Sequence, residues 1–145
     1  MKKNILLLIL AVFLISMLSS CGRIPEGLPN WMAVEDTVYQ YWQAIINRQY
    51  DLAKHYCITN GIWFNKTDEW QEYININSEG EASVLISKPY FYKQAEVIGN
   101  NAIVYAKIFA HKIAFPDSTT IDVDTFEYEI ELIKETSPPG SWKLK

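Results

Sequence analysis

The chain has 145 residues, of which 49% are hydrophobic and 14% aromatic. That content excludes an intrinsically disordered chain, and the length suits one domain rather than two. All 17 acidic residues but only 11 of the 13 basic ones lie after residue 20, with no basic stripe, which excludes a nucleic-acid binder.

Residues 1–20 read as a signal peptide. Lys2 and Lys3 form a positive n-region, and Ile5 to Leu18 is apolar apart from Ser16. A helix over that run spans about 21 Å, short of the roughly 30 Å hydrocarbon core of a bilayer. Leu18-Ser19-Ser20-Cys21-Gly22 follows and resembles the lipobox of bacterial lipoproteins. The resemblance implies cleavage before Cys21 and a diacylglycerol thioether, of the kind labelled by palmitate, on its sulfur. Two acyl chains anchor stably where one is marginal. Cys21 is therefore the expected lipid-attachment residue, residues 21–30 are a lipidated tether, and residues 31–145 form a single domain. The expected location is outside the cytoplasm, on the cell membrane or the outer membrane. With Cys21 consumed, Cys57 has no disulfide partner. Its spacing from Tyr50, Ala53 and Tyr56 reads as a buried thiol in preference to a nucleophile helped by His55, because residues two apart on a helix face different ways.

The tether gives way to a helix that Asn30 is placed to cap, with Glu35 and Asp36 near its positive end. Val34, Val38, Tyr41, Trp42, Ile45 and Ile46 recur at helical spacing as far as about Arg48 or Gln49. A short helix is expected over Asp51–Cys57, a break at Asn60-Gly61, and a third helix over about Thr67–Ile74, with Trp70, Tyr73 and Ile74 on one side. After Gly80 the period becomes two. Ala82–Ser87, Tyr90–Ile98, Ala102–Phe115 and Thr119–Lys134 are strand-like, with turns at Gly99-Asn100-Asn101 and Pro116-Asp117-Ser118. Pro138-Pro139-Gly140 is a loop, and Ser141–Lys145 is a candidate edge strand. Helices first and strands afterwards predict an α+β fold, with the helices packed on one face of a curved antiparallel sheet.

Val38-Tyr39-Gln40-Tyr41-Trp42-Gln43-Ala44-Ile45, then Tyr50-Asp51-Leu52-Ala53, and the closing Ser141-Trp142-Lys143-Leu144 carry a family likeness. Over residues 31–145 the chain resembles the nuclear transport factor 2-like (cystatin-like α+β roll) superfamily, in its small bacterial lipoprotein branch. The resemblance implies bulged strands that curl around the helices. It is a pattern of core positions and speaks to fold more than to activity.

Strand parity places Ala102, Val104, Ala106, Ile108 and Ala110 on the inner face, and Tyr105, Lys107, Phe109 and His111 on the outer. In the last long strand Ile121 and Val123 are odd, whereas Phe126, Tyr128, Ile130 and Leu132 are even, which predicts a β-bulge near Asp124-Thr125. Lys107 then falls opposite about Glu129, and Glu127, Glu129 and Glu131 form an outer acidic ladder. Asp122 and Asp124 are expected to face outward, so no acid–base pair is expected inside the roll and no catalytic residue is assigned. Glu96 turns inward only if a bulge precedes it. The alanines leave room either for a close-packed first helix or for a small apolar pocket lined by Trp42, Ala102, Ala106, Ala110, Phe126 and Tyr128. Tyr105, Phe109 and His111 offer an outer interaction surface on which a second copy would pack as a homodimer. His55 and His111 make no local metal motif, Asp122-x-Asp124 lacks the rest of a calcium loop, and no cofactor motif is present. The expected function is a membrane-anchored module binding a small apolar ligand or a protein of the cell envelope. The alternatives are a structural scaffold and, less favoured, an enzyme with a pocket between helix and sheet.

Overall fold

Helical periodicity stops at Gly80, and the two layers of the fold divide there. The computed structural model describes residues 29–80, 82–136 and 140–145. The signal peptide, Cys21, most of the tether and Pro138-Pro139 lie outside the described residues. Three helices, α1 (Asn30–Ile46), α2 (Tyr50–His55) and α3 (Ile62–Asn77), precede five strands. These are β1 (Ala82–Ile86), β2 (Tyr90–Ile98), β3 (Asn101–Ala114), β4 (Thr119–Lys134) and β5 (Trp142–Leu144). The result is α+β, helices on a curled antiparallel sheet, compatible with the nuclear transport factor 2-like roll.

The stripe of α1 is the one its spacing predicts: Val34, Val38, Tyr41, Trp42 and Ile45 are buried, with Thr37 and Ala44 between them. Its start differs from expectation. Asn30 is the first helical residue and makes no cap, because Pro29 precedes it and the Pro29 carbonyl accepts from Met32 and Ala33 N–H at 2.9 and 3.3 Å. Helix α3 begins at Ile62 rather than near Thr67. The reason is tertiary: the Lys145 carbonyl accepts the Trp63 N–H at 3.1 Å, supplying from the tail the cap that Gly61 has no side chain to provide. Trp63 and Thr67 are thereby drawn into the core.

β3 is the central strand. β1 pairs with its second half (Ala110–Ala114), β2 with its first half (Asn101–Lys107), and β4 runs along its other side, followed by β5. Ala102, Val104, Ala106, Ile108 and Ala110 are all buried against the helices, as their parity requires. Ile130 and Leu132 continue that face on β4.

Two details of register differ from expectation. The bulge on β4 is at Ile121, the residue left unopposed between the Lys112↔Asp122 and Ile113↔Thr120 pairs, and not at Asp124-Thr125. The apolar phase does flip there, but Val123 is an outer-face residue opposite His111, so its parity had pointed to the wrong position. As a consequence Lys107 lies opposite Glu127, with which it forms an ion pair, and Tyr105 lies opposite Glu129. β2 is irregular on both sides of Lys93, yet Glu96 stays outside, held by Lys93 and the Tyr105 hydroxyl.

The β2–β3 turn depends on Gly99, whose φ is +60° and whose absent Cβ would meet nothing within 4 Å. Space is free, so only the left-handed backbone resists a side chain. Gly99→Ala is expected to lose about 1–2 kcal/mol in urea unfolding. A loss of zero would show that the turn relaxes to another conformation.

Candidate functional site

Lys66, Glu69, Trp70 and Tyr73 recur on α3 at three- and four-residue steps and so share one helix face. Asp124, Phe126 and Tyr128 alternate on β4 and so share one sheet face. Where the two meet, Lys66, Glu69, Trp70, Tyr73, Phe126 and Tyr128 line an open groove of about 360 Å³.

Its floor is aromatic. Phe126 and Tyr128 lie nearly parallel (3°) with centroids 6.4 Å apart, and the Trp70 ring meets Phe126 edge-to-face at 4.9 Å. Tyr73 closes on the same Phe126 at 5.6 Å. Behind the floor, Trp42 stacks on Tyr128 at 6.1 Å and Trp63 meets it edge-on at 5.1 Å, so the rings are braced from the core side. The Tyr41 hydroxyl donates to Thr67 Oγ1 at 3.2 Å, since that oxygen spends its own hydrogen on the Trp63 carbonyl at 2.9 Å. Each such edge-to-face contact is worth roughly 0.5–1.5 kcal/mol beyond burial.

The two ends are polar. At one, the Lys66 ammonium lies 5.5 Å from the centre of the Tyr128 ring and 3.5 Å from the Glu69 carboxylate. At the other, the Tyr73 hydroxyl donates to Asp124 Oδ2. Burial, and then the neighbouring Asp124 carboxylate, raise the Tyr73 pKa. Burial likewise pushes Tyr128 up to about 12. Both phenols remain protonated at neutral pH, and the Tyr73 hydroxyl is the one seen to donate, to Asp124. Such a site can hold a flat or apolar group against the rings while Lys66, Glu69 and Asp124 orient it.

Phe126 and Tyr128 are thus the members of the expected pocket that reach a groove. Trp42 is fully buried behind it, and Ala102, Ala106 and Ala110 are covered by the helix layer, so the room they leave is taken up by packing. Asp124 corrects the expectation that the carboxylates of the long strands face outward. With the bulge at Ile121, Asp124 lies opposite Ala110 in phase with Phe126, on the helix-bearing face. Lys66 and Glu69 carry no expectation from the sequence; the Trp70/Tyr73 spacing is the available signal for the helix wall, and nothing local marks the displaced bulge that turns Asp124 to this face.

Tyr105, Phe109 and His111 are half-buried on the outer face. Tyr105 is occupied by the Lys93 ammonium over its ring at 4.2 Å and by Glu96. Phe109 and His111 lie toward the exposed apolar Leu85 and Val123. A second cleft, about 670 Å³, is lined by residues including Asp51, Lys54, His55, Cys57, Glu135 and Lys143. Burial pushes the Cys57 thiol up to about 12 and so disfavours the thiolate, and its Sγ lies 3.6 Å from the Ala53 carbonyl. His55 Nδ1 instead contacts the Asp51 carbonyl at 2.7 Å. Among the described residues no three His, Cys, Asp or Glu side chains converge as a metal site, and no helix is long and apolar enough to cross a membrane.

No protein-family model, curated protein or solved structure matches this chain. The residues of the groove therefore carry the functional reading by themselves.

Proposed function

We propose that the chain is an exported bacterial lipoprotein, anchored through Cys21, whose nuclear transport factor 2-like domain is a non-catalytic binding module of the cell envelope. The α3–β4 groove is its binding surface. The observation that carries this reading is the row of half-buried Tyr73, Phe126 and Tyr128 rings beside buried Trp70, left open between helix and strand and bordered by Lys66, Glu69 and Asp124. The braced rings change little on binding, which limits the ordering cost.

The anchor rests on the n-region, the apolar run and the lipobox-like Leu18-Ser19-Ser20-Cys21. Cys21→Ala is expected to accumulate as unprocessed precursor without palmitate label. Label that persists in this variant overturns the anchor.

The groove is tested by thermal-shift screening of residues 29–145, which contain the buried core of the described residues. The panel consists of phospholipids, fatty acids and aromatic metabolites, measured on wild type and on Phe126→Ser. Ligands of the groove raise the melting temperature of the wild type and not of the variant. Hits that shift both proteins equally overturn the assignment of the site.

A further inference from the structure

Among the described residues, the edge of the sheet beside the groove is unpaired beyond Glu131. β5 pairs with β4 only at Leu132–Lys134, and the Lys145 N–H to the Glu131 carbonyl, at 2.9 Å, is the last of the described backbone bonds along that side. Backbone direction alternates along a strand, so the orientation of the remaining groups follows from the bonds that are made. Lys134 N–H reaches Asn100 on the β3 side, whereas the Glu131 carbonyl and the Glu135 N–H reach the tail segment on the outer side. By alternation, Val123, Thr125, Glu127 and Glu129 aim their N–H and C=O groups away from β3, toward the open edge. A free edge of this length is a template for another strand.

The side chains along it differ by face. Toward the helices stand Asp124, Phe126 and Tyr128, the floor of the groove; away from them stand Glu127, Glu129 and Glu131. Glu127 is paired with Lys107 and Glu131 with Lys145, but Glu129 lies opposite Tyr105 and has no ion-pair partner among the described residues. The edge therefore offers hydrogen bonds, the unpaired Glu129 carboxylate between two ion-paired glutamates on one face, and aromatic surface on the other.

Resting on the reading of the groove as a binding surface, we propose that its occupant is an extended peptide segment of a partner protein that adds to the free edge of β4, with basic residues at alternate positions and apolar residues between. The partner strand lies about 4.8 Å beyond β4. Its alternate side chains then fall beside Phe126 and Tyr128 on one face and opposite Glu127 and Glu129 on the other. Main-chain bonds supply affinity and the alternation supplies selection, as in other cases of strand addition. A second copy of this chain fits less well. Symmetric antiparallel pairing about Glu129 sets Glu129 against its own counterpart and Glu127 against Glu131, and like charges directly opposite are destabilising.

The test uses the full chain in detergent and a fluorescein-labelled, acetylated (Lys-Val)4 amide followed by anisotropy. Saturable binding that weakens with added salt is expected, with no binding of the (Glu-Val)4 analogue. Glu129→Pro removes an outward N–H while leaving the β3 ladder intact, and is expected to weaken binding about tenfold or more. Glu129→Lys is expected to reduce affinity for the lysine peptide and to raise it for the glutamate peptide, which keeps the test decisive if the proline variant does not fold. Equal affinity for a block peptide, Lys4Val4, or an unchanged affinity in Glu129→Pro and Glu129→Lys, overturns strand addition. If those outcomes occur while Phe126→Ser still abolishes the thermal-shift hits, the groove stands and the peptide falls. If the peptide binds through Glu129 but Phe126→Ser changes nothing in either assay, the edge stands and the groove falls.

Discussion

Replacing Trp42 by alanine is expected to lower the stability of the domain by about 3–5 kcal/mol. The residue is fully buried, and four aromatic neighbours meet it: Tyr41 at 5.3 Å, Trp70 at 5.1 Å, Trp63 at 6.2 Å and Tyr128 at 6.1 Å. These come from α1, α3 and β4, so the cavity opens where all three elements meet and no single one of them can move to fill it. Trp42→Phe is expected to lose less, because a ring is kept and the indole N–H, which has no partner among the described residues, is removed. Urea unfolding of the three proteins checks this. A midpoint for Trp42→Ala close to that of the wild type would mean that Trp42 is not at the junction. The same variant removes the brace behind Tyr128, so the groove is expected to lose its ligands before the domain loses its fold.

Ending the chain at Ser141 is expected to abolish cooperative folding. The four residues removed include Trp142 and Leu144, both buried, together with the pairing of β5 to Leu132–Lys134. Burial of the two side chains alone is worth about 5–10 kcal/mol, comparable with the whole stability of a domain this size, about 5–15 kcal/mol. The tail also joins elements distant in sequence. The Leu144 carbonyl accepts from Ile58 N–H at 2.7 Å, its N–H donates to the Tyr56 carbonyl at 2.9 Å, and the Lys145 carbonyl caps α3. Near-ultraviolet circular dichroism without fixed aromatic signal, and rapid proteolysis, are the expected results. A truncated chain that melts sharply within a few degrees of the full one would show that the tail is dispensable.

The groove was legible in halves. The Trp70/Tyr73 spacing marks one wall, and the even parity of Phe126 and Tyr128 marks the other, since both depend on local periods. That these walls face one another was not legible, nor was the inward position of Asp124. That position depends on which residue of β4 is left over in the pairing with β3, and Ile121 is as apolar as a residue of a regular strand.

By itself, then, the amino-acid order determined whatever has a short repeat: the stripe of α1, the change of period at Gly80, the buried alanines of β3, the turn at Gly99 and the α+β class that follows from helices before strands. Those features arise from residues within a few positions of one another, where side-chain direction is dictated by backbone geometry. Tertiary structure alone decided the rest. The start of α3 at Ile62 is set by a carbonyl at Lys145, the register of Lys107 against Glu127 by a bulge at Ile121, and the filling of the inner face by Trp42 and its ring of partners. Each of these joins groups far apart in the chain, and their energies exist only after the loops between them have closed.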